Sequence, residues 1–551
     1  MEPAVGASVT TESKMLDTPK GTFCQVKGTI APAIGFEVDL PLETWTQRFL
    51  QVGCGGLCGM INVSIGNAGK CQPALDGRFV IAASDLGHQA QIGRSDESAF
   101  ASDQQKRIDF AYRANHLTAL AAKALIRAFY GQAALHSYFS GCSDGGREAL
   151  MEAERYPEDF EGISAGAPAM LFQVQNSFFH AWTVAANTRA DGSHILLADK
   201  LAILHAAVIA HCDALDGLQD GLLGDPRACL IDPAWVVCGK GTSDTSHCLT
   251  DEEWGVAEKL YRGPSNEDGR AFLPGGVQPG SELDWGAFVP REANGPQFSA
   301  RLAVSIAKVV LADATPADAD PARYPFTMTQ FERVKKRHAL NDATNPDLGS
   351  FAARGGKLIL WHGWSDTSIA PMISVAFHDA VQREMGTKAT ERFMRLYMLP
   401  GVGHCGGGDG FSQFDTLSAL LEWVEHGSTP SALVAEKPAG RDRLGPPLPP
   451  PGADSGPPPG LPSGPPPGGV GPGPDGRGGF LGMPRQAAPY ALSDRPALAS
   501  RPIFPFPTIA HYVGSGDPSM SQNFVAGPSP AKTAIPTNWI GLELMSPSSW
   551  R

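Results

Sequence analysis

The sequence predicts an α/β fold, and three observations carry the prediction. The first is a strand–turn–helix signature. The apolar run 135–139 leads into Ser140-Gly141-Cys142-Ser143-Asp144-Gly145-Gly146, and a helical pattern follows over 147–155. The second is the alternation before it. Arg48-Phe49-Leu50-Gln51-Val52 and Phe79-Val80-Ile81-Ala82-Ala83 read as buried strands, and 22–40 as further short strands. Leu117, Leu120, Ala121, Ala124, Leu125, Ala128 and Phe129 then recur at helical spacing. The third is that alternation resumes late in the chain, with strands at 357–361 and 393–399 and a helix at 412–426. Strand and helix in turn are the mark of a largely parallel sheet.

A chain of 551 residues with 42% hydrophobic and 18% charged residues is globular and can hold more than one domain. Residues 1–20 are polar and read as a disordered terminus. A core is expected over 21–174 and again over 351–443. Between them, 175–350 is irregular, with helical stretches such as 198–210, and reads as an inserted lid. Residues 444–480 contain Pro449-Pro450-Pro451, Pro457-Pro458-Pro459 and Pro465-Pro466-Pro467, a composition that builds no packed core. Residues 481–551 regain apolar side chains and are expected to pack on the core.

The net charge of −13 argues against nucleic acid or an anionic membrane as partner. No run approaches the roughly 18 apolar residues of a membrane span. Ten cysteines, most in glycine-rich or polar loops, favour disulfides over metal ligation and point to a secreted or periplasmic protein. The start, Met1-Glu2-Pro3, shows no basic and apolar signal segment. Nothing in the sequence indicates an oligomeric state.

Gly141-Cys142-Ser143-Asp144-Gly145 fits G-x-S-x-G, in which a serine on a tight strand-to-helix turn presents its hydroxyl. The N–H of Asp144, at the helix start, can face a developing oxyanion. Such a serine needs a base and an orienting acid, in the order Ser, Asp, His, after later strands. Asp366 follows the strand 357–361, and His404 follows 393–399. His404 takes the serine proton and returns one to the leaving group; Asp366 holds the imidazole. If Ser143 and His404 meet, the neighbouring Cys142 and Cys405 come within disulfide range, the alternative being that each pairs elsewhere or stays free. The glycine loop 53–59 fails the dinucleotide pattern G-x-G-x-x-G at Cys58, which counts against an oxidoreductase. It suits close backbone approach to a substrate oxygen, or is a plain turn. Asp213, Asp216 and Asp220, broken by glycines, can wrap a hard cation or form a solvated turn; the spacing is not that of an EF-hand.

On Gly141-Cys142-Ser143-Asp144-Gly145-Gly146, Leu360-Trp361-His362-Gly363-Trp364-Ser365-Asp366, Gly401-Val402-Gly403-His404-Cys405, the loop 53–59 and the acidic loop, the chain resembles the tannase/feruloyl esterase family. That family also includes a bacterial mono(hydroxyethyl) terephthalate hydrolase. The resemblance covers nearly everything outside the first twenty residues and the Pro-rich stretch. It implies an α/β-hydrolase core with a large inserted lid domain, hydrolysis of esters of aromatic acids, and a Cys142–Cys405 bridge. It also implies oxyanion donors at the N–H groups of Asp144 and Gly56, and structural Ca2+ on Asp213, Asp216 and Asp220 with the carbonyls of Leu218 and Leu222. Bridges Cys212–Cys229 and Cys238–Cys248 follow from the same resemblance, while Cys24, Cys54, Cys58 and Cys71 are left unassigned. One departure stands out: Phe504 occupies a tail position where the family usually has cysteine, so the tail is expected to depend on packing alone.

The expected function is a serine esterase acting on feruloyl- or galloyl-type esters through an acyl-enzyme. A terephthalate-type or aryl monoester hydrolase with the same machinery is the alternative, and a non-catalytic binding module of the same fold is a third reading.

Overall fold

The computed structural model describes residues 1–66, 70–90, 97–311, 313–315, 318–439, 497–532 and 541. Strands β1 (Val9–Thr18), β2 (Gly21–Ile30), β3 (Ile34–Pro41), β4 (Arg48–Val52), β5 (Phe79–Ser84), β6 (His136–Cys142), β7 (Gly162–Gly166), β8 (Lys357–Gly363) and β9 (Met394–Leu399) form one sheet. Their order is β1-β2-β3-β5-β4-β6-β7-β8-β9. β1, β2, β3 and β5 pair antiparallel, and every pair from β5 through β4 to β9 is parallel. The helices that matter for the site are α1 (Ala114–Tyr130), α2 (Asp144–Arg155), α3 (Leu201–Cys212), α4 (Met372–Met385) and α5 (Thr416–His426). This is an α/β-hydrolase fold.

Both sheet faces are covered, which is why the parallel strands read as continuous apolar runs. Along β6, Phe139 enters the core shared with Phe49, Leu150 and Ile163, while its neighbour Tyr138 enters the opposite one with Ile359, Trp361 and Leu420. β7 escapes the sequence pattern because Gly-Ile-Ser-Ala-Gly has almost no apolar bulk. Its small residues are imposed by the neighbours: a Cβ on Gly166 would lie 2.0 Å from the Trp361 ring. α5 begins at Thr416 rather than 412, because the Asp415 carboxylate accepts the Ser418 N–H as an N-cap.

The N-terminus differs from the expectation of disorder over 1–20. β1 runs in ten-residue antiparallel register with β2, and Val5 is buried against the core. Its side chains are mostly exposed, so the strand is held by backbone hydrogen bonds that no apolar alternation advertises. The Pro-rich stretch 444–480 lies outside the described residues. The tail does not rely on packing alone. β11 (Ala497–Ile503) pairs antiparallel with β10 (Leu433–Pro438), and β13 (Phe524–Pro528) with β12 (Thr508–Tyr512). Arg501 adds an ion pair to Asp220 at 2.9 Å while stacking over Phe411 and Phe524.

Between β7 and β8 the described chain is helical and irregular, with only isolated bridges. It touches the loop after β8: Gln175 Nε2 donates to the Ser368 carbonyl at 2.7 Å, and Thr367 Oγ1 donates to the Asp284 carbonyl at 3.3 Å. Among the described residues no helix is long and apolar enough to cross a membrane.

Candidate active site

Ser143 sits between β6 and α2 at φ 65°, an unusual conformation for a residue with a side chain. The surroundings hold it there. Its N–H donates to the Gly166 carbonyl, and its own carbonyl accepts from Gly146 and Ala169. Gly141 is required by the same turn, because a Cβ there would lie 2.3 Å from the Gly145 carbonyl oxygen. The Asp144 carboxylate is turned into the protein, where Arg147 meets both oxygens at 2.7 and 3.0 Å. Arg147 is fully buried, stacks on Phe110 and Phe172, and also donates to the Phe110 and Ala111 carbonyls. That leaves the first turn of α2 to present backbone rather than a carboxylate beside Ser143.

His404 Nε2 lies 2.8 Å from Ser143 Oγ, and its Nδ1 lies 2.7 Å from Asp366 Oδ2. The three residues come from the ends of β6, β8 and β9, as the sequence order requires. Asp366 is fully buried, and its Oδ1 accepts the N–H groups of Ser368 and Ile369. Burial opposes its charge, but His404 and hydrogen bonds from His362 and His404 hold it well below the usual carboxylate range.

His362 was not singled out from sequence. Its Nε2 is 3.1 Å from Asp366 Oδ2 and 3.2 Å from the Ile369 carbonyl, so that nitrogen carries the proton. Nδ1 accepts from Ser374 Oγ at 2.7 Å, which places a fourth side chain behind the Ser–His–Asp row. Its position near the end of β8, four residues before Asp366, was the available signal. His180, from the segment after β7, is buried in the field of His404 and Asp366; burial and the His404 charge push it down to about 4, so it stays neutral.

Four disulfides are formed: Cys142–Cys405, with Cα atoms 5.9 Å apart, Cys212–Cys229, Cys238–Cys248 and Cys54–Cys58. The last was left open by the sequence and ties the glycine loop that carries Gly56, itself at φ 64°. Cys24 and Cys71 are free.

The acidic loop follows α3. Asp213 accepts the Gly221 N–H, Asp216 accepts those of Leu218 and Gly224, and Asp220 accepts that of Leu222. Burial first, and then their neighbours' charges, raise Asp213 and push Asp216 up to about 6. The three carboxylates are hard oxygen donors of the kind calcium takes; in this structure their oxygens meet backbone N–H groups and, at Asp220, the Arg501 guanidinium at 2.9 Å.

The mostly parallel sheet, with Ser143, Asp366 and His404 brought together at its strand ends, is that of an α/β hydrolase. The sequence model of the family described as tannase and feruloyl esterase matches residues 18–526. The chain belongs to that family and is a carboxylic ester hydrolase. It is 32% identical over 495 residues to an uncharacterized esterase of Xanthomonas campestris pv. campestris, spanning 80% of this chain and 84% of that protein. It is 30% identical over 577 residues to the mono(2-hydroxyethyl) terephthalate hydrolase of Piscinibacter sakaiensis, spanning 92% and 85%. The crystal structure of an esterase from Aspergillus oryzae superposes with a TM-score of 0.73 at 22% identity, covering 94% of this chain and 96% of that one, a likeness of fold.

Proposed function

We propose that the chain hydrolyses esters of aromatic carboxylic acids, of feruloyl or galloyl type, through an acyl-enzyme on Ser143. The observation that carries this reading is the unbroken row Ser143 Oγ–His404–Asp366, at 2.8 and 2.7 Å, within a family of tannases and feruloyl esterases. Ser143 Oγ attacks the acyl carbon while its proton passes to His404 Nε2. Asp366, kept ionised, stabilises the imidazolium and fixes its tautomer. The oxyanion is received by the N–H groups of Asp144 and Gly56. Collapse breaks the acyl–oxygen bond as His404 returns the proton to the departing alkoxide, and the alcohol leaves. Water then gives a proton to His404 and attacks the acyl carbon; the acid departs as Ser143 regains its proton.

The relative acting on mono(2-hydroxyethyl) terephthalate, which matches 92% of this chain, favours a terephthalate-type monoester as a second substrate reading. A panel of methyl ferulate, methyl gallate, p-nitrophenyl acetate and a terephthalate monoester separates the two by kcat/KM. Equal, trace-level turnover on all four contradicts both.

Calcium bound by Asp213, Asp216 and Asp220 and the carbonyls of Leu218 and Leu222 would neutralise the loop and stiffen the inserted, lid-forming segment. The four disulfides support an oxidising destination, secreted or periplasmic.

A further inference from the structure

The oxyanion loop leaves β4 and folds down on the first turn of α2 with no space between them. Gly53 donates its N–H to the Ser140 carbonyl. A Cβ on Gly53 would lie 2.7 Å from Gly145 Cα, and one on Gly145 would lie 2.8 Å from the Cys54 carbonyl oxygen. Directly beneath the loop, one turn after Asp144, is Glu148, buried at 2% exposure. Its Oε1 is 3.3 Å from Cys54 N, 3.0 Å from Cys54 Sγ and 3.5 Å from Cys58 Sγ. Its Oε2 accepts Asn115 Nδ2 from α1 at 2.8 Å, and Asn115 is in turn held by Gln51 Nε2 from β4.

Two features set the protonation state. Among the described residues no cation pairs with Glu148, since Arg147 is committed to Asp144 and to backbone carbonyls. The sulfur 3.0 Å away belongs to a disulfide and carries no hydrogen, so that contact is a hydrogen bond only when the carboxyl supplies the proton.

We propose that Glu148 is a positioning residue for the oxyanion loop, acting as a neutral acid that donates to the Cys54–Cys58 disulfide and accepts the Cys54 N–H. It thereby fixes the height of the Gly56 N–H over Ser143. The inference rests on the Ser143 acyl-enzyme reading. The groups facing Glu148 agree with a neutral acid: burial and then the Asp144 charge push it up to about 8, against Arg147 and the bonds from Asn115 and Cys54. Glu152, the next acid along α2, adds no positive charge; burial first, and then the Asp159 charge, raise it well above the usual carboxylate range. Above about pH 8 the carboxyl ionises. The O–H···S bond is then lost, and a negative charge appears beneath the place where the oxyanion forms.

The test is the pH profile of kcat on an aromatic ester for the full chain and for Glu148→Gln, Glu148→Ala and Ser143→Ala. The wild-type kcat should fall above about pH 8. Glu148→Gln, which keeps an N–H donor facing the sulfur and cannot ionise, should lose that alkaline fall. Glu148→Ala should lower kcat about tenfold with KM within about twofold, a loss suited to a misplaced rather than a missing donor. An unchanged alkaline fall in Glu148→Gln, or a kcat in Glu148→Ala within about twofold of wild type, overturns the proposal. If Ser143→Ala is inactive while both Glu148 variants match wild type, only this inference fails. Turnover that survives in Ser143→Ala overturns the acyl-enzyme reading and this one with it.

Discussion

Asp366 carries its charge where charge is expensive, with no exposed surface, and it does so because every lone pair is claimed. Two backbone N–H groups, His362 and His404 share its two oxygens. An asparagine of the same shape would keep two acceptor positions but could not stabilise an imidazolium. Asp366→Asn should therefore fold normally and lose about 10³–10⁴-fold in kcat. Retention of more than about a tenth of wild-type turnover would remove Asp366 from the relay. At this scale the sequence was informative where chemistry and chain order coincide, as at Ser143, Asp366 and His404. It was silent about His362 and Glu148, because their roles come from a loop folded back in space and from a buried helix face.

The elements show the same division. Strands with bulky apolar side chains, such as β4 and β8, announce themselves; β1 and β7 do not, being defined by hydrogen bonding and by the size of their neighbours. The acidic loop and the tail are joined by Arg501 and Asp220, a contact between positions 281 residues apart that spacing does not reveal. Chelation should lower the melting temperature and open the inserted segment to protease while leaving turnover well below the transition intact. If melting and proteolysis are both unmoved by exhaustive chelation, the loop binds no structural metal. Arg501→Ala removes the ion pair and its stacking on Phe411 and Phe524, and should cost about 1–2 kcal/mol of stability. A denaturation midpoint equal to wild type would show that β11 pairing alone secures the tail.

Across the whole molecule, the strand-end loops that meet at the site are locked by Cys142–Cys405, a bridge across a sequence separation of 263. In the chain-entropy picture a loop of that size contributes about 5 kcal/mol, an upper figure because native strain subtracts from it. The bridge also fixes the turn carrying His404 against the turn carrying Ser143. Cys142→Ala with Cys405→Ala should lower stability and reduce kcat about a hundredfold, the effect of a shift of about 1 Å between reacting groups. Non-reducing peptide mapping must recover one fragment holding both cysteines. This long-range closure could be argued from sequence because both cysteines adjoin residues whose chemistry requires contact. The Cys54–Cys58 closure carried no such constraint and was visible only once the loop was seen against α2.

In the proposed reaction the atom that accepts the acyl group is Ser143 Oγ, 2.8 Å from His404 Nε2. Intact-mass and peptide analysis after treatment with a fluorophosphonate measures this directly, on wild type and on Ser143→Ala, with ester hydrolysis followed in parallel. The expected result is one adduct, on the peptide containing Ser143, with complete loss of hydrolysis; Ser143→Ala should take no label and turn over several orders of magnitude more slowly. Labelling at another residue, or near-normal hydrolysis by purified Ser143→Ala, would contradict the account.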